Sequence, residues 1–263
     1  MRSIRGIRIL FEDDAVIVLE KSAGVLACGT RRGEGYSVES ALADYVRKGQ
    51  RKSSKCVFLV HRLDRDTSGV MMVAKTPDVQ EYFRSRWNEI TEKRYLARVV
   101  GRMECERGVF ESYLAEDART LKVRSVAPSA EGAKFARTEW RVLPDPLAGL
   151  RSYAGTSLVE ARLHTGRKNQ IRVHFAEAGH PVFGDSKYCP PGMEMPRAAR
   201  QGGRLCLHAL SLAFVHPLTG ERMEFSTPAP GFAAPAAPRG TGSGGKARKV
   251  SGHGHERSWR TSS

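Results

Sequence analysis

Val57-Phe58-Leu59-Val60, then His61-Arg62-Leu63-Asp64-Arg65-Asp66-Thr67-Ser68-Gly69, then Val70-Met71-Met72-Val73 is the stretch on which the fold turns. Short apolar runs bounded by polar turn residues read as buried strands. The charged segment between them is therefore a loop presented at a strand end. Residues that do chemistry are commonly carried on such loops.

Outward from this loop, strands alternate with helices and turns. Ile7, Ile9 and Phe11 alternate with polar neighbours, and Ala15 to Leu19 is a continuous apolar run, so two strands joined at Asp13-Asp14 open the chain. A helix follows, with Ser37 as its N-cap, Val38, Leu42, Tyr45 and Val46 on one face, and Gly49 where it should stop. Arg51 to Lys55 is a basic connection. Beyond the loop, Thr76 caps a second helix with Pro77 at its first position, and Val79, Tyr82, Phe83, Trp87 and Ile90 form its buried stripe. Tyr95 to Val100 and Thr156 to His164 read as strands. A third helix runs from a cap at Asn169 to a stop at Gly179, with Arg172 in its first turn. Ser211 to Val215 and Arg222 to Phe225 read as a late hairpin. The expected fold class is α/β, with a mixed, largely antiparallel sheet and flanking helices.

Composition narrows the partners. The 263 residues carry 43 Lys plus Arg against 28 Asp plus Glu, a formal charge of +15, which favours a polyanion. Nucleic acid ranks first, and an anionic membrane surface second. No apolar run approaches the roughly 20 residues that span a bilayer, and no apolar signal core follows the basic start, so a soluble, cytoplasmic protein is expected. The five cysteines are scattered singly, without the paired spacing of a disulfide framework or a thiolate zinc site. From Ala233 onward Ala, Pro, Gly, Ser and basic residues dominate. The expected division is a catalytic domain over 1–232 and a disordered basic tail over 233–263 that adds salt-sensitive attraction to RNA.

Ordered motifs make the chemistry specific. The His61 to Gly69 segment resembles the signature of the RluA-type RNA pseudouridine synthases, whose invariant aspartate falls on Asp64. Lys93-Arg94-Tyr95-Leu96-Ala97, Thr165-Gly166-Arg167-Lys168-Asn169-Gln170-Ile171-Arg172-Val173-His174 and Gly179-His180-Pro181-Val182-Phe183-Gly184-Asp185, with Lys187-Tyr188 close behind, extend the resemblance. So do Ile9 to Asp14 and His216 to Glu221, and the match runs from about Ile7 to Pro230. The resemblance implies the pseudouridine synthase fold, a long mixed sheet divided by a catalytic cleft. It also implies isomerisation of uridine to pseudouridine in ribosomal or transfer RNA, with no redox cofactor, nucleotide or metal. No Gly-rich phosphate loop or metal-ligand cluster is present in the sequence to suggest otherwise.

By the same resemblance Asp64 is the catalytic carboxylate, as nucleophile or as base, and Arg172 is its ion-pair partner. Tyr95 lies at the base, either stacking on it or reaching its C5 proton. Arg62 would fill the place of a uridine flipped out of the RNA. Arg65, Thr67, Lys93, Arg167, Lys168 and Lys187 complete the expected RNA contacts. Two departures from the family pattern stand out: Ser22 in place of the usual proline, and Asn169 where histidine is common. The chain begins almost directly at the catalytic domain, leaving no room for an N-terminal S4 domain, and a monomer is expected.

Other chemistries fit less well. Asp64 with Asp66 could be a glycosidase pair, but residues two apart in a loop are a weak signal for two carboxylates flanking one bond. The same spacing echoes a calcium loop that lacks its remaining ligands. His174 and His180 have no accompanying cluster and read as structural. A non-catalytic RNA-binding or RNA-folding protein with the same basic cleft is the alternative from another class. It has no use for a carboxylate facing phosphates.

Overall fold

A computed structural model describes residues 3–29, 35–48, 50, 54–193 and 203–233 in full, and 248–249 as backbone. The sheet opens with β1 (Ser3–Ile4), β2 (Ile7–Glu12) and β3 (Val16–Lys21), followed by helix α1 (Val38–Arg47). Then come β4 (Phe58–Leu59), β5 (Ser68–Ala74), α2 (Pro77–Ile90) and β6 (Thr91–Val100). The chain continues through β7 (Arg107–Glu116), β8 (Val123–Val126), β9 (Lys134–Val142), β10 (Thr156–Leu163) and α3 (Gln170–Glu177). It closes with β11 (Leu207–Val215), β12 (Arg222–Ser226) and the short β13 (Arg248–Lys249).

The main path is β1-β2-β3-β5-β11-β6-β10-β9-β7-β8, with β4 beside β5 and β12 beside β11. Among the described strands every pairing is antiparallel except β5 with β11, which is parallel and confined to Ser68 and Gly69 opposite His208 and Ala209. That seam divides the molecule. Gly69 is required there: at φ 115° its backbone is left-handed, and a Cβ would lie 2.1 Å from the Ala209 carbonyl oxygen.

β3 and β5 are covered on both faces, which is why both are continuous apolar runs. Ile17, Leu19, Met71 and Val73 face Val38, Ala41, Leu42 and Val46 of α1. Val16, Val18, Val70 and Met72 face Val79 and Phe83 of α2. On the other side of the seam, Ile171 and Phe175 of α3 close over Ala97, Val99, Val159 and Ala161. The mixed, largely antiparallel sheet is as expected, and so are the three helices.

Four details differ from expectation. The residue that ends α1 in the left-handed region is Lys48, φ 49°; Gly49 lies outside the described residues. Asn169 precedes α3 but its side chain makes no capping hydrogen bond. Strands β7, β8 and β9 have no counterpart in the apolar pattern, because much of β7 and β9 is open to solvent and each buries few side chains. Finally, the chain stays folded to the end of the expected domain: Phe232 and Ala233 are buried with Leu96, Leu158, Phe183 and Cys206. In the expected tail, residues 248–249 pair with β12; the rest of 234–263 lies outside the described residues.

Candidate active site

The loop before β5 is pinned by its inward residues. Leu63 is buried in the core under α1. His61 stacks on Trp87, with ring centroids 4.6 Å apart, and its Nε2 accepts the Met72 amide at 3.0 Å. Burial, aided by the Lys93 charge, lowers the His61 pKa to about 3, so the ring is neutral and free to accept. Lys21, fully buried, donates to the carbonyls of Ser22 (3.1 Å), Val25 (2.7 Å) and Arg65 (2.9 Å). It ties the 22–25 turn to the loop. Burial lowers its pKa to about 8 against the pull of Asp66 and Asp64. With Leu63 and Thr67 turned inward, Arg62, Arg65 and Asp66 are exposed and Asp64 is left partly open.

Asp64 meets the other side of the seam through α3. Arg172 Nη1 donates to Asp64 Oδ2 at 3.0 Å, and Asn169 Nδ2 donates to the same oxygen at 2.5 Å. The rest of the guanidinium is committed to Asp185: Nε to Oδ2 at 2.7 Å and Nη2 to Oδ1 at 2.8 Å. Asp185 is buried and also accepts the amides of Lys187 and Tyr188. Burial works against the Arg172 charge, but the bonds and charges of Asp185 and Asp64 outweigh it and raise its pKa above the ordinary value.

Asn169 holds its place through an unusual backbone, φ 55°, which asparagine tolerates better than most residues. Its Oδ1 accepts the Tyr188 hydroxyl at 2.8 Å, which aims the amide nitrogen at Asp64. Tyr188 in turn accepts the Val123 amide at 3.1 Å and lies under the Arg172 guanidinium at 5.0 Å. Tyr95, on β6 opposite Ala209, packs against the cores on both sides of the seam. Burial, and then the Asp64 charge, push its phenol up, so it stays protonated at neutral pH.

The structure thus brings Asp64, Arg172 and Tyr95 into one site. It divides the expected RNA contacts. Arg62 and Arg65 are exposed beside Asp64. Arg167 donates to the Phe135 carbonyl, Lys168 pairs with Glu116, and Lys187 reaches the Leu121 carbonyl, all at the accessible rim. Thr67 and Lys93 are buried, and Lys93 donates to Asn88 Oδ1 at 2.9 Å, so neither presents its side chain to a partner. Asp185, Tyr188 and Lys21 carry no role in the sequence reading. The motifs contain Asp185 and Tyr188 but not Lys21, and the contacts of all three are made only by folding. His174, bonded to Thr138 and Ser112, and His180, bonded to the Val100 carbonyl, have the structural contacts expected of them.

Comparison with known proteins identifies the family of the chain. A family model described as RNA pseudouridylate synthase matches residues 15–177. The ribosomal large subunit pseudouridine synthase C of Haemophilus influenzae is 34% identical over 220 residues, covering 83% of this chain and 64% of that protein. The uncharacterized RNA pseudouridine synthase YjbO of Bacillus subtilis is 34% identical over 224 residues, covering 84% and 72%. This chain spans just under two thirds of the Haemophilus relative's length. Among solved structures, human RNA pseudouridylate synthase domain containing 4 aligns with a TM-score of 0.64 at 25% identity, over 85% of this chain and 88% of that one. Human RNA pseudouridylate synthase domain containing 1 has a TM-score of 0.67 at 23% identity over 96% and 93%, which supports the fold.

Proposed function

Because the chain belongs to the RNA pseudouridylate synthase family, we propose that it converts uridine to pseudouridine in RNA, with large-subunit ribosomal RNA as the leading substrate. The observation that carries this reading is the Asp64 carboxylate, partly open to the cleft and gripped on one oxygen by Arg172 and Asn169. The name of the Haemophilus relative supports the ribosomal substrate, and transfer RNA is the second candidate.

In the reaction the bond from uracil N1 to ribose C1′ breaks, the base turns, and C5 bonds to C1′. The C5 proton is lost while N1 gains one, so the product is an isomer. Asp64 supplies negative charge to the sugar, as nucleophile or as base. Arg172 and Asn169 hold the carboxylate by its Oδ2 and leave its Oδ1 for the substrate. Tyr95, protonated at rest, offers ring surface for stacking and a hydroxyl near the base rather than a standing phenolate. Arg62, exposed one turn of the loop away, is suited to enter the RNA as the uridine leaves. The protein works as a soluble monomer in the cytoplasm.

Tritium release from RNA labelled at uracil C5 tests the reading, with ribosomal and transfer RNA transcripts as parallel substrates and Asp64→Asn beside wild type. Release by wild type alone is the expected result. RNA bound tightly by both proteins and labelled product from neither would favour the RNA-binding alternative.

A further inference from the structure

Arg204 is the exposed cation that the proposed mechanism leaves unused, and the protein holds it with unusual care. Its Nη2 donates to Ser68 Oγ at 2.6 Å. Ser68 Oγ lies 2.8 Å from His208 Nδ1, and His208 Nε2 lies 2.8 Å from Thr227 Oγ1. Arg204 can only donate, so Ser68 Oγ accepts from it and at the same time meets His208 Nδ1, while Thr227 Oγ1 holds the other ring nitrogen. Burial, with the Arg204 charge next, lowers the His208 pKa to about 4 and keeps the ring neutral.

Two further contacts fix the arginine. Its guanidinium lies over the Phe232 ring at 5.6 Å. Its carbonyl oxygen sits where a Cβ on Gly184 would be, 2.3 Å away, so the turn that carries Asp185 is pressed against the Arg204 backbone. An arginine needed only for solubility has no use for such restraint. Among the described residues no carboxylate pairs with Arg204, and its Nη1 makes no protein hydrogen bond.

Arg204 lines an open cavity of about 440 Å³, together with Gly24, Asp66, Arg172, Asp185 and Ser186. Arg172 is spent on Asp185 and Asp64, which leaves Arg204 as the cation with free donors. We propose that Arg204 grips a backbone phosphate of the RNA strand beside the flipped uridine, and that Ser68, His208 and Thr227 act as positioning residues for it. This rests on the reading of the cleft as an RNA-modifying site.

The test uses the full chain and unmodified large-subunit ribosomal RNA transcribed in vitro. Turnover of Arg204→Ala and Ser68→Ala is compared with wild type. Binding is measured across a salt series in an Asp64→Asn background, with and without each change. For Arg204→Ala the expected result is a raised KM with kcat nearly kept, and a log-log salt slope shallower by about 0.7 to 0.9, one phosphate contact. Ser68→Ala, which leaves the charge but frees it, should raise KM less and leave the slope nearly intact. An unchanged KM and slope in Arg204→Ala would overturn the proposal. So would a lower kcat at unchanged slope, which is the mark of contact with the uracil carbonyls. If wild type makes no pseudouridine, the activity reading fails by itself, and the salt slopes still decide the role of Arg204.

Discussion

Arg98 and Arg172 are both guanidinium forks closed on an aspartate, and they have opposite uses. Arg98, on β6, is fully buried: Nη1 and Nη2 hold Asp145 at 2.6 and 2.8 Å, Nη1 also reaches Thr156 Oγ1 at 2.9 Å, and Nε donates to the Phe232 carbonyl at 2.9 Å. Every partner belongs to the frame. Arg172 makes the same two-pronged grip on Asp185 and then spends its remaining nitrogen on Asp64, whose side chain is 28% exposed. The first fork is closed, and the second is held firmly at one end so that its other end stays in place while open. A buried ion pair gives little net stability once desolvation is counted, but losing one partner is expensive. That asymmetry suits Arg98 to tethering the chain near Phe232. In Arg172 it fixes the Asp64 carboxylate while leaving it partly open.

The largest expected effect is at the open end. Asp64→Asn should reduce pseudouridine formation to background while circular dichroism and RNA binding remain those of wild type; an unfolded variant would place Asp64 among the frame residues and erase the contrast. Next, Arg98→Ala strands Asp145 and should lower stability in urea by about 3–5 kcal/mol. The molecules still folded should retain their specific activity. Should activity be lost without loss of stability, Arg98 too would belong to the site.

Arg172→Lys sharpens the comparison further. Lysine keeps the charge but cannot hold Asp185 with two prongs and Asp64 with a third, so kcat/KM should drop roughly 10²-fold. The change in thermal midpoint should be smaller than for Arg98→Ala. Acid should then affect both regions through their neutral histidines. Burial lowers His61 to about 3, and His174 and His208 to about 4, from an ordinary value of 6.5. Each binds its proton more readily when unfolded, so stability is full above pH 6.5 and falls as pH drops toward 4. No group contributes more than about 1.4 kcal/mol per pH unit. Melting curves over that range would show it, and His208→Gln should flatten the dependence. The smallest effect is Asn169→Ala. It removes one hydrogen bond to the Asp64 carboxylate, worth about 1.5 kcal/mol, and should lower turnover roughly tenfold.

What the sequence disclosed follows burial. β3 and β5, covered on both faces by α1 and α2, stand out as unbroken apolar runs. β7 and β9 turn many side chains to water and show no such run. Asp64, Tyr95 and Arg172 were readable because the motif residues resemble a family with an ordered site. Their supports were not. Asp185 meets Arg172 across a turn, Asn169 trades its capping role for a bond to Asp64, and Lys93 is taken inside by packing that no local pattern reveals. The tail boundary was also set by composition alone, and Ala233, the first residue of the expected tail, is held by the core.

The two-residue seam between β5 and β11 bears on how the molecule comes into being. Ser68 and His208 are 140 positions apart in the chain, so their junction closes a very long loop. Local hairpins and helices on either side can form before such a contact, whose entropic cost is met only when the distant strands dock. Asp64 belongs to one side, while Tyr95, Arg172 and Arg204 belong to the other. A chain whose two sides have formed but not docked therefore holds the halves of the proposed centre apart, and the site is complete only once this long-range junction closes.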